Sequence, residues 1–310
     1  MSITMTPPPI VAALLKAEKL LGVANDELGY DWKSFNDKQE QFLEDFYHAL
    51  GRKEVQEMKD MVSIASKDVN VLNNFLKAKG FDIQLDQFSR GDSFGIVSIL
   101  KIVLEWFEKG KKATIKTPGQ TYLGAKLKLG NDPEGEKAIL LEIPTLPNPL
   151  VMIPTKNDYG VFMILADEVP TDGFDLIEKI QDMMGKVEDS PERHLSTKYG
   201  NVIFPQIDYN EEIDISWLRG MEIEDPSKVS WSIAQALQQT KFRMDEIGAV
   251  VESAAALEMQ IRSFIAPNVK PDYVIDKPFF MGAGNLKTTS NPVFYGYLTP
   301  EDWIRGGIGC

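Results

Sequence analysis

Asp245-Glu246-Ile247-Gly248-Ala249-Val250-Val251-Glu252-Ser253-Ala254-Ala255-Ala256-Leu257-Glu258-Met259-Gln260-Ile261-Arg262-Ser263-Phe264 is the stretch on which the reading of this chain turns. With period two, one face from Ala249 onward is Ala249, Val251, Ser253, Ala255, Leu257, Met259 and Ile261, all small or apolar. The other face is Val250, Glu252, Ala254, Ala256, Glu258, Gln260 and Arg262, and it holds every charge of that span. A strand let into a sheet needs this pattern, one face toward a core and one toward water. A helix is the competing reading, because Glu252 to Gln260 is rich in good helix formers. Local pattern alone favours the helix; the surrounding chain shifts the choice to a strand.

Upstream, Thr6-Pro7-Pro8-Pro9 stops an initial extended piece and opens a helix at Ile10-Val11-Ala12-Ala13-Leu14-Leu15. From Phe35 to about Leu76 the apolar spacing is helical, through Phe42, Phe46, Leu50, Val55, Met58, Met61 and Ile64. Ser93 to Phe107 is a long apolar run that fits a buried strand or a buried helix. After Lys109 the texture turns to strands and turns, with candidate strands at Ala138 to Ile143, Leu150 to Ile153, Val161 to Leu165 and Val202 to Phe204. A helix is expected at Phe174 to Met184, opened by Asp172, and a short one at Ile213 to Leu218. Lys241 to Met259, Val274 to Met281 and Val293 to Leu298 read as extended. Early helices followed by later strands predict an α+β fold.

Composition narrows the function. The 310 residues are 43% hydrophobic and 25% charged, with 46 acidic against 33 basic residues and a net charge of -13. That sign opposes nucleic-acid or anionic-membrane binding. The lone cysteine, Cys310, allows no internal disulfide, and the two histidines, His48 and His194, have no ligand neighbours at zinc spacing. Met1 to Pro9 lacks the basic start of a signal peptide, so an intracellular protein is the expectation. No metal or cofactor is implied.

Motifs of catalysis are equally sparse. The chain has no G-x-S-x-G elbow, phosphate loop or G-x-G-x-x-G. Gly282-Ala283-Gly284 reads as a turn between two strands. Glu211-Glu212 and Asp245-Glu246 could be imagined as acid and base, with a solvated face as the default. Lys109, Lys111, Lys112 and Lys116 form a basic cluster, read as a solvated loop or a weak polyanion contact. An unrelated α+β enzyme therefore ranks third among the functional readings.

A family likeness ranks first. Phe242 to Gly248 resembles the strand that leads into a serpin reactive loop, and the Ala-rich stretch after it resembles that loop's hinge. Asp276-Lys277-Pro278-Phe279-Phe280 and Val293 to Pro300 are similar to the family's C-terminal strand pair. Val202 to Ile207, Leu218-Arg219-Gly220-Met221, Phe162 to Glu168 and Ile3 to Ile10 follow in the family's order. The likeness covers nearly the whole chain, loosely before Ser93 and well after Ala138. It implies one serpin-like domain over 1–310, with a shortened helical part at 1–92 and a sheet-rich part at 93–310. It further implies a large central sheet, smaller sheets, packed helices and a reactive-centre loop at about 248–271.

The resemblance also implies a mechanism. The scissile residue of the family lies fourteen after the hinge glycine, which from Gly248 is Arg262, followed by Ser263. Arg-Ser is a bond for trypsin-like serine proteases, whose deep pocket ends in an aspartate. The hinge is then Gly248, Ala249, Val250, Val251, Glu252, Ser253, Ala254, Ala255 and Ala256. A protease that attacks the loop forms an acyl-enzyme, and the freed loop inserts into the main sheet as a new strand. Three departures favour a non-inhibitory binding or structural member as the second reading. The family's first helix has no counterpart. Polar residues that hold the sheet at its opening point are replaced at Thr6, Pro9, near Lys101 and at Gln238. Val250 and Val251 are bulkier than usual hinge residues. Trp106 matches the family's tryptophan at the top of the sheet.

Overall fold

A computed structural model describes residues 1–23, 30–49, 55, 61–81, 83–88, 91, 93–100, 104–133, 135–156, 159–249, 270–284 and 292–306. The chain is α+β and divides into two compact units, one of Met1–Met5, Ile102–Tyr209 and Phe242–Cys310, the other of Thr6–Lys101 and Asn210–Lys241.

In chain order the strands are β1 (Ile3–Met5), β2 (Met61–Ser66), β3 (Ser93–Leu100), β4 (Leu104–Glu105), β5 (Lys111–Thr117), β6 (Gln120–Lys128), β7 (Ile139–Glu142), β8 (Leu150–Pro154) and β9 (Gly160–Leu165). They continue with β10 (His194–Leu195), β11 (Asn201–Pro205), β12 (Ile207–Ile213), β13 (Glu222–Glu224), β14 (Ser230–Met244), β15 (Gly248–Ala249), β16 (Asp272–Val274), β17 (Phe279–Gly284) and β18 (Phe294–Leu298). The α-helices are α1 (Pro7–Leu21), α2 (Asp37–Phe42), α3 (Val69–Ala78) and α4 (Gly173–Asp189).

In the first unit a seven-stranded sheet runs β1-β18-β17-β9-β8-β7-β10. Every residue of β17 and β18 is buried. Their near-continuous apolar runs suit strands covered on both faces. Gly282-Ala283-Gly284, expected as a turn, instead ends strand β17. Gly282 lies under the Phe162 ring, where a Cβ would come within 2.1 Å of a ring carbon, so the residue serves close packing. Asp172 caps α4 as expected, its Oδ1 accepting from the Phe174 amide at 3.0 Å and the Asp175 amide at 3.1 Å. A second, four-stranded sheet runs β16-β11-β6-β5.

The second unit carries β2, β3, β13 and most of β14 around α1 and α3. Pro7, Pro8 and Pro9 occupy the first turn of α1, where a missing N–H costs nothing, and Gly22 ends the helix in the left-handed region. One buried charge on α1, Glu18, accepts from Trp32 Nε1 at 3.1 Å and from the Tyr47 hydroxyl. The helical spacing read through Met61 and Ile64 does not hold there. Met61–Ser66 is strand β2, antiparallel to β3 with Ile64 opposite Val97. Pairing with a neighbour overrides a local periodicity that also fits a short apolar strand. The run from Ser93 resolves as strand β3, buried from Ser93 to Ile99.

Candidate functional site: the root and the seam

The segment singled out by the sequence is tied down at its start. Asp245 makes the turn, its Oδ1 accepting from the Ile247 amide at 2.7 Å and the Gly248 amide at 3.2 Å. A short acidic side chain that caps its own turn is what Asp does well between strands. β15 then pairs antiparallel with β4, Gly248 opposite Glu105 and Ala249 opposite Leu104. The approach is so close that a Cβ on residue 248 would sit 2.1 Å from the Leu104 carbonyl oxygen. Only glycine fits at this position.

Trp106 holds the same turn from beneath. It is 2% exposed. Its indole Nε1 donates to the Asp245 carbonyl at 3.0 Å, and its backbone N–H to the Ile247 carbonyl at 3.1 Å. The ring meets Phe204 edge-on, with centroids 6.0 Å apart. The Gly110 amide donates to the Glu246 carbonyl at 2.7 Å, and Gln206 Nε2 to Glu246 Oε2 at 2.7 Å. Asp245 thus forms the turn and Glu246 anchors it. An Asp three residues before a Gly was the signal for this.

The far end is fixed as well. β16 runs parallel to β11, Asp272 opposite Asn201. Asp272 accepts from Asn201 Nδ2 at 2.7 Å and pairs with Lys126 at 2.6 Å. Between these anchors lie residues 250–269, which are outside the described residues. They include Val250, Val251, Glu252, Ser253, Ala254, Ala255 and Ala256 of the hinge, and Arg262-Ser263.

In the second unit, the strand that leads to the root forms a seam with β3. The two are parallel, from Ser232 opposite Ser93 to Thr240 opposite Leu100, with one irregularity between Ile233 and Gln235. Polar side chains are buried along it: Ser98, Gln238, Gln239 and Thr240. Gln238 Nε2 donates to the Thr6 carbonyl at 3.0 Å and to Ser98 Oγ at 3.3 Å. That carbonyl can only accept, so the amide nitrogen must face it. Gln238 Oε1, Thr6 Oγ1, Thr240 Oγ1 and Gln239 Oε1 have no partner among the described residues. A buried polar cluster that is only half satisfied is a weak line in a sheet. Thr6 and Gln238, two of the positions expected at the sheet's opening point, are brought together here. Pro9 is buried in the first turn of α1, and Lys101 lies outside the described residues. Ser98 was not anticipated; a serine in an apolar strand gives little signal.

Glu142 and Tyr273 titrate away from their ordinary values. Glu142 is held below the usual carboxylate range, first by the Ser196 hydroxyl, which donates to it at 2.6 Å, and also by Lys198 and His194. Burial pushes the Tyr273 hydroxyl up. Among the described residues no group of three or more His, Cys, Asp or Glu side chains could hold a metal, and no helix is long and apolar enough to cross a membrane.

No family model matches the chain, and no curated protein matches it by sequence. Solved structures do match by shape. Serpin48 of the insect Tenebrio molitor, described as a highly specific serpin, shares 12% identity at a TM-score of 0.55, over 96% of this chain and 91% of its own. Thyroxine-binding globulin in complex with thyroxine matches at 12% identity and 0.55, over 96% and 92%. Mouse protein-Z dependent protease inhibitor matches at 11% and 0.56, over 96% and 90%. The chain has the serpin fold, in a form far diverged in sequence.

Proposed function

We propose that this protein, as a single serpin-like domain of residues 1–310, is a suicide-substrate inhibitor of trypsin-like serine proteases, cleaved after Arg262. One observation supports the reading: β14 is followed by a tightly packed glycine, Gly248, while from Ser232 to Thr240 it pairs directly with the parallel strand β3. A segment returning from the end of β14 runs antiparallel to it. Because β3 and β14 are parallel, that segment is antiparallel to both and can pair on both edges. The far anchor at β16 restrains the segment until it is cut. After cleavage between Arg262 and Ser263, the stretch from Ala249 to Ile261 is free to enter the seam.

Energetics support that direction. Burial of Val251, Leu257, Met259 and Ile261 on insertion stabilises by about 6–10 kcal/mol. The inserted strand also gains ladder hydrogen bonds on two edges, each worth about 0.5–1.5 kcal/mol net. The cost is separation of β3 from β14, which starts most easily at the half-satisfied polar cluster. Mouse protein-Z dependent protease inhibitor, of the same fold, is consistent with this role.

Incubation with trypsin tests it. The wild type is expected to form an adduct that survives SDS, and Arg262→Glu to form none. Cleavage after Arg262 with release of active trypsin would instead establish the second reading, a non-inhibitory binding protein. The bulk of Val250 and Val251 at the hinge favours that alternative, and thyroxine-binding globulin shows the fold in complex with a small molecule.

A further inference from the structure

A cleft of about 280 Å³ opens beside the four-stranded sheet, walled at one end by Trp106 and Phe107. Five of its lining residues are lysines, in a chain whose net charge is -13. Two of them oppose each other: Lys111 on β5 sits directly across from Lys126 on β6. Lys128, two residues further along β6, shares the face of Lys126. Like charges directly opposite in an antiparallel pair destabilise the sheet. Such an arrangement is tolerated where counter-charge is supplied.

The protein supplies part of it. Lys126 is paired with Asp272 at 2.6 Å, and Lys137 with Glu108 at 3.7 Å. Lys109, Lys111 and Lys128 have no ion pair among the described residues, and the remaining acid in the lining is Glu136. Three cations therefore border the cleft with one carboxylate among them. The basic cluster of the sequence divides here. Lys109 and Lys111 line the cleft, whereas Lys112 and Lys116 project from the other face of β5 and do not line it.

We propose that this cleft binds a compact phosphate-bearing polyanion of about the size of pyrophosphate. Its volume is at the bottom of the range for small-molecule pockets, which excludes a large ligand. Ammonium groups on flexible stems suit the several oxygens of linked phosphates. The proposal involves neither Arg262 nor Ser263, and its test does not depend on loop insertion.

Titration calorimetry of the full chain with sodium pyrophosphate at low ionic strength tests the proposal. One saturable site is expected, weakening as salt is raised. Lys111→Gln with Lys128→Gln is expected to weaken binding about a hundredfold, roughly tenfold for each charged contact. Lys112→Gln with Lys116→Gln removes the same charge from the opposite face and should leave the affinity within about twofold. The Lys111/Lys128 pair of changes should also raise the thermal midpoint of the ligand-free protein, because it relieves the repulsion between facing lysines. Absence of saturable binding, or equal weakening by both double variants, would overturn the site. So would a fall in the ligand-free midpoint.

Discussion

Gly248 shows how one residue allows two strands to approach closely. A side chain there collides with the Leu104 carbonyl. Gly248→Ala should therefore destabilise the protein by about 1–3 kcal/mol, the usual cost of forced close contact. It should also speed hydrogen exchange at the Trp106 and Gly110 amides, which donate to Ile247 and Glu246. Unchanged exchange at both would contradict the anchoring role. The seam offers a paired test. Thr6 precedes α1 and makes no side-chain cap, and its hydroxyl is buried with no partner among the described residues. Thr6→Val keeps the shape and removes the orphan, so its denaturant midpoint should stay level or rise. Gln238→Leu removes the amide that donates to the Thr6 carbonyl and to Ser98 Oγ, and should cost about 1–3 kcal/mol. Equal losses from the two changes would refute the account of that cluster.

Elements show where reading by pattern succeeds and where it stops. The capped helix α4, the strand β11, the apolar strand β18 and the first half of β17 were legible because their signals are local: an Asp before a helical period, or a short apolar run between turns. β2 was not, because Met61 and Ile64 fit two periods and only the partner strand β3 decides between them. The root of the loop was half legible. Gly248 stood out in its segment, but its partners Leu104, Glu105 and Trp106 come from far upstream, and no spacing rule connects them. The seam was less so: the replaced positions Thr6 and Gln238 could be aligned, while Ser98 becomes visible only when the strands lie side by side. At the short β7–β10 pairing, Glu142 faces His194 and accepts from Ser196 and Lys198. Its carboxyl titrates below the ordinary value, so the stability it contributes is present above the unfolded value and is lost as pH falls through the folded one. Wild type should exceed Glu142→Gln in urea midpoint at pH 7, and the gap should close toward pH 3. A gap that is constant with pH would contradict this.

For the whole molecule, the claim is that a rooted segment and a parallel seam make the uncut chain a higher-energy state than the cut one. Four apolar side chains of the segment, from Val251 to Ile261, then pass from loop to sheet. The half-satisfied polar cluster around Gln238 is where the proposed parting of the seam would begin. Thermal unfolding before and after a trypsin nick between Arg262 and Ser263 measures the claim most directly. Insertion predicts a rise in midpoint of roughly 10 °C or more, from the burial of those side chains in a chain of this size. A nicked protein that unfolds at the same temperature as the intact one, or lower, would contradict it.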